Sequence, residues 1–250
     1  MAGSEGTPHI EAFGKPGRRE PEGMICPVCG IRNDDLATVC RGCRGFLQAR
    51  VDALDLWPTA LGVLEKPRRT FRRIAIASRK NHATLLSALA GCLGVFAAIW
   101  WRAGGERFDG LLPLLRFGFM AGPPAGVGGV FLSAAVLTLT GRLLGGRGCV
   151  RTLRGILAYA AVPVGIALLT VFPVSVAVFG KYFFSLNPPP SVLRPVAYAV
   201  LLGLYALFGA WSLALAVEGT AIAHGIGRWR AGLALGLGAA PGLGLCFLLR

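Results

Sequence analysis

The chain has 250 residues, 54% of them hydrophobic and only 15% charged, with a formal net charge of +14. A soluble domain carries roughly a quarter charged residues, so this composition excludes an ordinary water-soluble core. The positive charge does not point to nucleic acid: residues 1–56 hold seven Lys/Arg and eight Asp/Glu, and the excess of +15 lies beyond them, at the ends of apolar stretches.

Residues 1–23 have no apolar core, so they are not a secretory signal peptide. Their Gly, Pro and Glu content predicts a disordered tail. Met24 stands just before the first cysteine motif and offers a second start.

Residues 24–48 are expected to form a zinc ribbon. Cys26 and Cys29 make one Cys-x-x-Cys pair, and Cys40 and Cys43 a second, ten residues on. Four thiolates suit tetrahedral zinc, and each pair forms a tight knuckle aiming two sulfurs at one point. Gly30 and Gly42 relax the turns, and Pro27 stiffens the first. The segment "CPVCGIRN" resembles the short zinc ribbons, of pattern CPxCGxxN…CxxC, found at the head of many prokaryotic proteins. The second half departs from it, with Arg44 where a glycine is usual. A segment this small has no core of its own, so Zn2+ is expected as a structural staple, with a disulfide pair or an iron site as the alternative. A closed site leaves no open position for catalysis.

Residues 49–80 read as a linker followed by a basic juxtamembrane segment. Pro67 is expected to start a helix. Leu61, Leu64, Phe71, Ile74 and Ile76 are apolar anchors, and Arg68, Arg69, Arg72, Arg73, Arg79 and Lys80 are candidate membrane-surface cations. Such a segment can lie on anionic headgroups or simply mark the flank of the first span.

After residue 80, charged positions fence off five uncharged stretches, 81–101, 117–141, 155–180, 195–217 and 231–249. About 20 helical residues cross a bilayer, so residues 81–250 are expected to form an all-α bundle of five transmembrane helices, at about 82–101, 120–141, 155–180, 195–217 and 231–249. Gly122/Gly126, Gly232/Gly236 and Gly238/Gly242 recur at four-residue spacing, which lets helix backbones approach closely. Pro163 and Pro173 should bend the third span, and Pro188, Pro189 and Pro190 stiffen the loop after it. Cys92, Cys149 and Cys246 read as inert small fillers.

The flanks at 66–80, 142–154 and 218–230 carry thirteen Lys/Arg, against six on the opposite side. This predicts a cytoplasmic-membrane protein with its N-terminus in the cytosol and its C-terminus outside. A reducing cytosol also suits free thiols.

Three segments then resemble the Yip-domain family of membrane proteins (Ypt/Rab-interacting proteins). "EKPRRTFRRIA" at 65–75 looks like its opening segment. "GRGCVRTLRGILAYAAVPVGIALL" at 146–169 is similar to its third-span signature. "WSLALAVEGTAIAHGIGRWRAGLAL" at 211–235 looks like its junction of fourth and fifth spans. The likeness covers roughly residues 58–249. It implies a cytosolic N-terminus and a non-enzymatic membrane role with no catalytic residues. Eukaryotic relatives act in vesicle trafficking and bind prenylated small GTPases. That partner is not carried over, because a composition heavy in Ala, Gly and Arg suggests a prokaryotic source.

Glu218 departs from the apolar or small residue the family shows there. With His224 it is a candidate intramembrane polar site, for a proton or an ion, or else an interfacial carboxylate pairing Arg228 or another inner-loop arginine. The function expected is a membrane scaffold or adaptor. The alternative is a small transporter or channel with Glu218 as its ion site. No HExxH and no paired acids in the spans point to an enzyme. Expected partners are the lipid bilayer, a cytosolic protein reached through the ribbon, and a second copy of the chain. No nucleic acid is expected.

Overall fold

The computed structural model describes residues 24–26, 28–34, 37–45, 47, 54–77 and 79–248, with side chains as far as Gly238. The expected tail at 1–23 and Pro27 lie outside the described residues, and Gly242 and Cys246 lie beyond the described side chains.

The N-terminal unit is a two-stranded hairpin, β1 (Met24–Ile25) antiparallel to β2 (Arg32–Asn33). From Leu56 onward every regular element among the described residues is helical. Two short helices come first, α1 (Leu56–Glu65) and α2 (Pro67–Ile76), and α2 does open on Pro67. α1 carries Leu61 and Leu64, two of the expected apolar anchors, and the sequence pattern gives no helix of its own there. The helix forms because Thr59 and Val63, four apart, share a buried side.

The long helices follow: α3 (Ala83–Trp101), α4 (Leu111–Leu143), α5 (Val150–Ala160), α6 (Val162–Phe179), the single turn α7 (Pro190–Leu193), α8 (Pro195–His224) and α9 (Arg228–Leu248). Among the described residues four stretches are long and apolar enough to cross a membrane: α3, α4, the continuous run Val150–Phe184, and α8. The fifth expected span is helical over 21 residues as α9, but it opens on two arginines and is not among those four. The fourth span is longer than expected. It runs past Glu218 to His224, where Gly225 ends it with φ +65°.

The third span breaks at Ala161, two residues before Pro163, and α6 runs on through Pro173 without interruption. Pro163 has no N–H to give the preceding turn. Next to the break, Ser212 Oγ of α8 donates to the Ala160 carbonyl at 2.8 Å. Hydroxyls commonly restore backbone bonds in this way inside a bilayer. Ser212→Ala is expected to lower thermal stability in detergent by about 0.6 kcal/mol, the usual worth of one such bond between membrane helices.

The closest helix contact is between α3 and α4. A Cβ added at Gly91 would lie 2.2 Å from the Gly122 carbonyl oxygen, and one at Gly126 would lie 2.0 Å from the Ser87 carbonyl oxygen. The expected Gly122/Gly126 pair is therefore a packing face. The Gly232/Gly236 pair on α9 is not: a Cβ at either position meets nothing within 4 Å.

Two apolar clusters fill the bundle. One gathers Phe71, Ile74, Leu153, Ile156, Tyr159 and Leu215 at the ribbon end. The other is aromatic, with Phe96 and Phe172 centroids 4.3 Å apart and Phe183 and Phe184 beside them. Outside, Phe117, Met120, Phe131, Leu132, Leu169, Leu207 and Leu213 are exposed. An apolar exterior over apolar cores fits lipid as solvent.

Candidate functional site

The four cysteines converge. Their sulfurs lie within 4.8 Å of one another, with Cys26 to Cys43 and Cys29 to Cys40 each at 3.6 Å. Four thiolates on a tetrahedral metal at 2.3 Å stand about 3.8 Å apart, so this cage fits one such ion. Cys26 and Cys40 are buried and the other two half-buried.

The two knuckles share one hydrogen-bond plan. In the first, Cys26 N–H donates to the Ile31 carbonyl and Gly30 N–H to the Cys26 carbonyl, both at 2.9 Å. In the second, Cys40 N–H donates to the Gly45 carbonyl at 2.8 Å and Arg44 N–H to the Cys40 carbonyl at 2.9 Å. Arg44 thus stands in the place of Gly30 and adopts the same left-handed backbone, φ +57° against +75°. A side chain there costs on the order of 1 kcal/mol, and it puts a guanidinium on the wall of the cleft described below.

Asn33 joins the knuckles. It is 4% exposed, accepts from Arg41 N–H at 2.9 Å and aims its amide at Cys40 Sγ from 3.4 Å. Burial alone would raise the Cys40 thiol. The N–H groups of Cys43 and Gly42, with the Asn33 amide, outweigh it and bring Cys40 down to about 6. Burial raises Cys29 and Cys43. The Asn of CPxCGxxN was visible in the sequence, but its role as a bridge was not.

The ribbon sits on the bundle. Arg147, in the loop between α4 and α5, donates to the Gly42 carbonyl of the second knuckle. Thr152 Oγ1, on α5, donates to the Val28 carbonyl of the first at 3.3 Å. Nothing in the sequence pattern announced either contact.

The juxtamembrane segment differs from the expectation in two respects. Phe71 and Ile74 are fully buried against the bundle rather than offered to lipid, because their three-residue spacing faces Ile156 and Gly219. Each contributes roughly 2–3 kcal/mol of burial. Arg68, Arg69, Arg72 and Arg73 stay on the exposed side of α2, and Arg79 is exposed beyond it. Lys80 does not join them. Its chain lies on Gly155, where an added Cβ would come within 2.2 Å of it, and its Nζ donates to the Ala77 carbonyl at 3.3 Å. Burial, helped by Arg151 and Arg154, pushes its ammonium down to about 8.

Glu218 lies between two arginines. Oε1 meets Arg68 Nε at 2.6 Å and Oε2 meets Arg228 Nε at 2.5 Å. Its side chain is 14% exposed and theirs are 62% and 59%. The carboxylate on α8 therefore ties α2 and the start of α9 to that helix. Glu218→Gln is expected to lower stability by about 1 kcal/mol, since the arginines stay hydrated; a melting curve in detergent checks it. His224 faces another way. It is 3% exposed, packs against Gly141, Gly146 and Gly148, and accepts from Gly148 N–H through Nδ1 at 3.1 Å. Glu218 and His224 do not come together as one polar site.

A cleft of about 780 Å³ lies between ribbon and bundle, walled by Cys43, Arg44, Arg72, Glu218 and Arg228. No curated protein and no solved structure matches the chain. The Yip1 domain model matches residues 61–250, all of the helical part from within α1 onward, and the chain belongs to that family.

Proposed function

We propose that this Yip1-domain protein is a non-enzymatic scaffold of the cytoplasmic membrane. In this reading five helices cross the bilayer, α9 being the fifth, with the N-terminus in the cytosol and the C-terminus outside. Cys26, Cys29, Cys40 and Cys43 hold structural zinc, and the ribbon so formed presents a surface to a cytosolic protein partner. The observation that carries it is the seating of the ribbon on the bundle through Arg147 and Thr152. A closed metal site held on one end of an apolar bundle suits recognition and leaves no ligand position for chemistry. The thirteen Lys/Arg on the flanks of that end support the orientation.

Crosslinking in native membranes followed by mass spectrometry tests the scaffold role. The wild-type chain should yield partners that Cys26→Ser loses. Identical partner sets for the two would count against the ribbon as a docking module. A reporter fused after Arg250 should be active only on the outer side.

A further inference from the structure

The first half of α2 and the lower end of α8 enclose a second groove, of about 550 Å³, with two kinds of wall. Lys66, Arg68, Arg69 and Arg228 stand around its mouth, with Glu218 the single acid among its lining residues. Those five groups leave a net charge of +3. Arg68 and Arg228 each meet the carboxylate through Nε, and more than half of each side chain remains exposed. A guanidinium held in this way is fixed in direction and keeps other N–H groups for an oxyanion. The floor is apolar: Trp211, Ala214 and Leu215.

The spacing gives the floor its meaning. Trp211, Ala214, Leu215 and Glu218 fall at i, i+3, i+4 and i+7 of α8, so they form one stripe. Exposed Leu207 and Leu204 continue it toward the membrane interior. From Glu218 to Leu204 the helix rises about 21 Å, more than the roughly 15 Å of one leaflet's hydrocarbon. Exposed Trp229, next to Arg228, suits the headgroup level.

We propose that this groove is a binding site for one anionic phospholipid, its phosphodiester on Lys66, Arg68, Arg69 and Arg228 and one acyl chain along the α8 stripe. A free phosphate would use the mouth but leave the floor without a partner. A zwitterionic lipid would fit the floor but bring a cation to a mouth that is already positive. The site rests on α8 crossing the bilayer. It goes beyond a general attraction of α2 to headgroups because it names one groove and one lipid.

The test counts lipid retained by the full chain in mild detergent, by native mass spectrometry. The wild type should keep one phosphatidylglycerol and release phosphatidylcholine, and excess inorganic phosphate should not displace the bound lipid. K66Q/R69Q, which leaves the Glu218 pairs intact, should lower phosphatidylglycerol retention at least about tenfold. R102Q/R116Q, at the other end of the bundle, should keep it within about twofold. K66R/R69K, which keeps the charge, should bind as the wild type does. Equal retention of both lipids, displacement by phosphate alone, or equal losses from the two charge-removing doubles would overturn the proposal. Whether the chain stays in the pellet on alkaline carbonate extraction tests the membrane-spanning reading separately.

Discussion

Replacing Cys26 and Cys40 together by serine is expected to abolish metal binding and to free the ribbon from the bundle, while the helices stay folded. The wild-type chain should carry one zinc by elemental analysis and the double variant less than about a tenth of one. The energetics support an effect this large. Among the described residues the buried apolar core of the ribbon is Cys26, Cys40 and Leu47, too small to hold a fold by hydrophobic burial alone. Zinc binding in small fingers is worth about 10–16 kcal/mol at neutral pH, and it is largely folding free energy. The helical core is separate from it, so its melting should change little. Limited proteolysis should cut the variant between residues 24 and 54 and spare the wild type.

Acid should act in the same direction as mutation. Ligating thiols must be deprotonated, so metal leaves as pH falls. In the folded ribbon the N–H groups of Cys43 and Gly42 and the Asn33 amide outweigh burial and bring the Cys40 thiol to about 6, below its ordinary 9.0. A group lowered in the folded state contributes stability above its unfolded value and loses it as pH falls through the folded one. The Cys40 contribution is therefore full above about 9 and gone below about 6, a window in which the raised Cys29 and Cys43 do not follow it. Zinc occupancy measured from about pH 8 down to about pH 4 should decline toward the acid end, and an occupancy that rose would contradict the site.

Much of this was legible because it is periodic or chemically specific. Charges at the ends of apolar runs located α3 and the third span to within a few residues. Cysteine spacing located the cage, since only four thiols at such intervals make paired knuckles. What the sequence concealed depends on neighbours far away in the chain. The burial of Phe71 and Ile74 was hidden because an apolar face looks the same whether it meets lipid or another helix. The retreat of Lys80 was hidden because its place is decided by the absent side chain of Gly155, 75 residues on. α4 begins nine residues before the expected span at 120, since helices continue past the bilayer wherever packing supports them. Arg147 and Thr152 as seats for the ribbon had no signal at all, being an exposed arginine and a threonine at the start of a helix.

The same limits apply to the glycine pairs, and there the structure makes its sharpest mechanical prediction. Gly122/Gly126 and Gly232/Gly236 have one spacing and opposite surroundings. At Gly126 a Cβ would lie 2.0 Å from the Ser87 carbonyl oxygen and 2.6 Å from Gly91 Cα. These are backbone atoms, so no rotamer change relieves the clash; α3 and α4 must separate. That separation would also open the packing of Cys92 on Gly122 and of Phe96 on Gly118, where an added Cβ would come within 2.2 Å of the ring. Gly126→Leu is expected to destabilise the bundle by about 3 kcal/mol or more, at or beyond the upper range of overpacking. It should lower the melting temperature in detergent and the yield of folded protein. Gly236→Leu, with nothing within 4 Å, should cost only what a surface change costs, within about 0.5 kcal/mol. Ser87→Ala at the same crossing removes only an intrahelical hydroxyl bond to the Ala83 carbonyl and should fall between them. If Gly126→Leu and Gly236→Leu melted together, close approach of α3 and α4 would not be what holds this bundle.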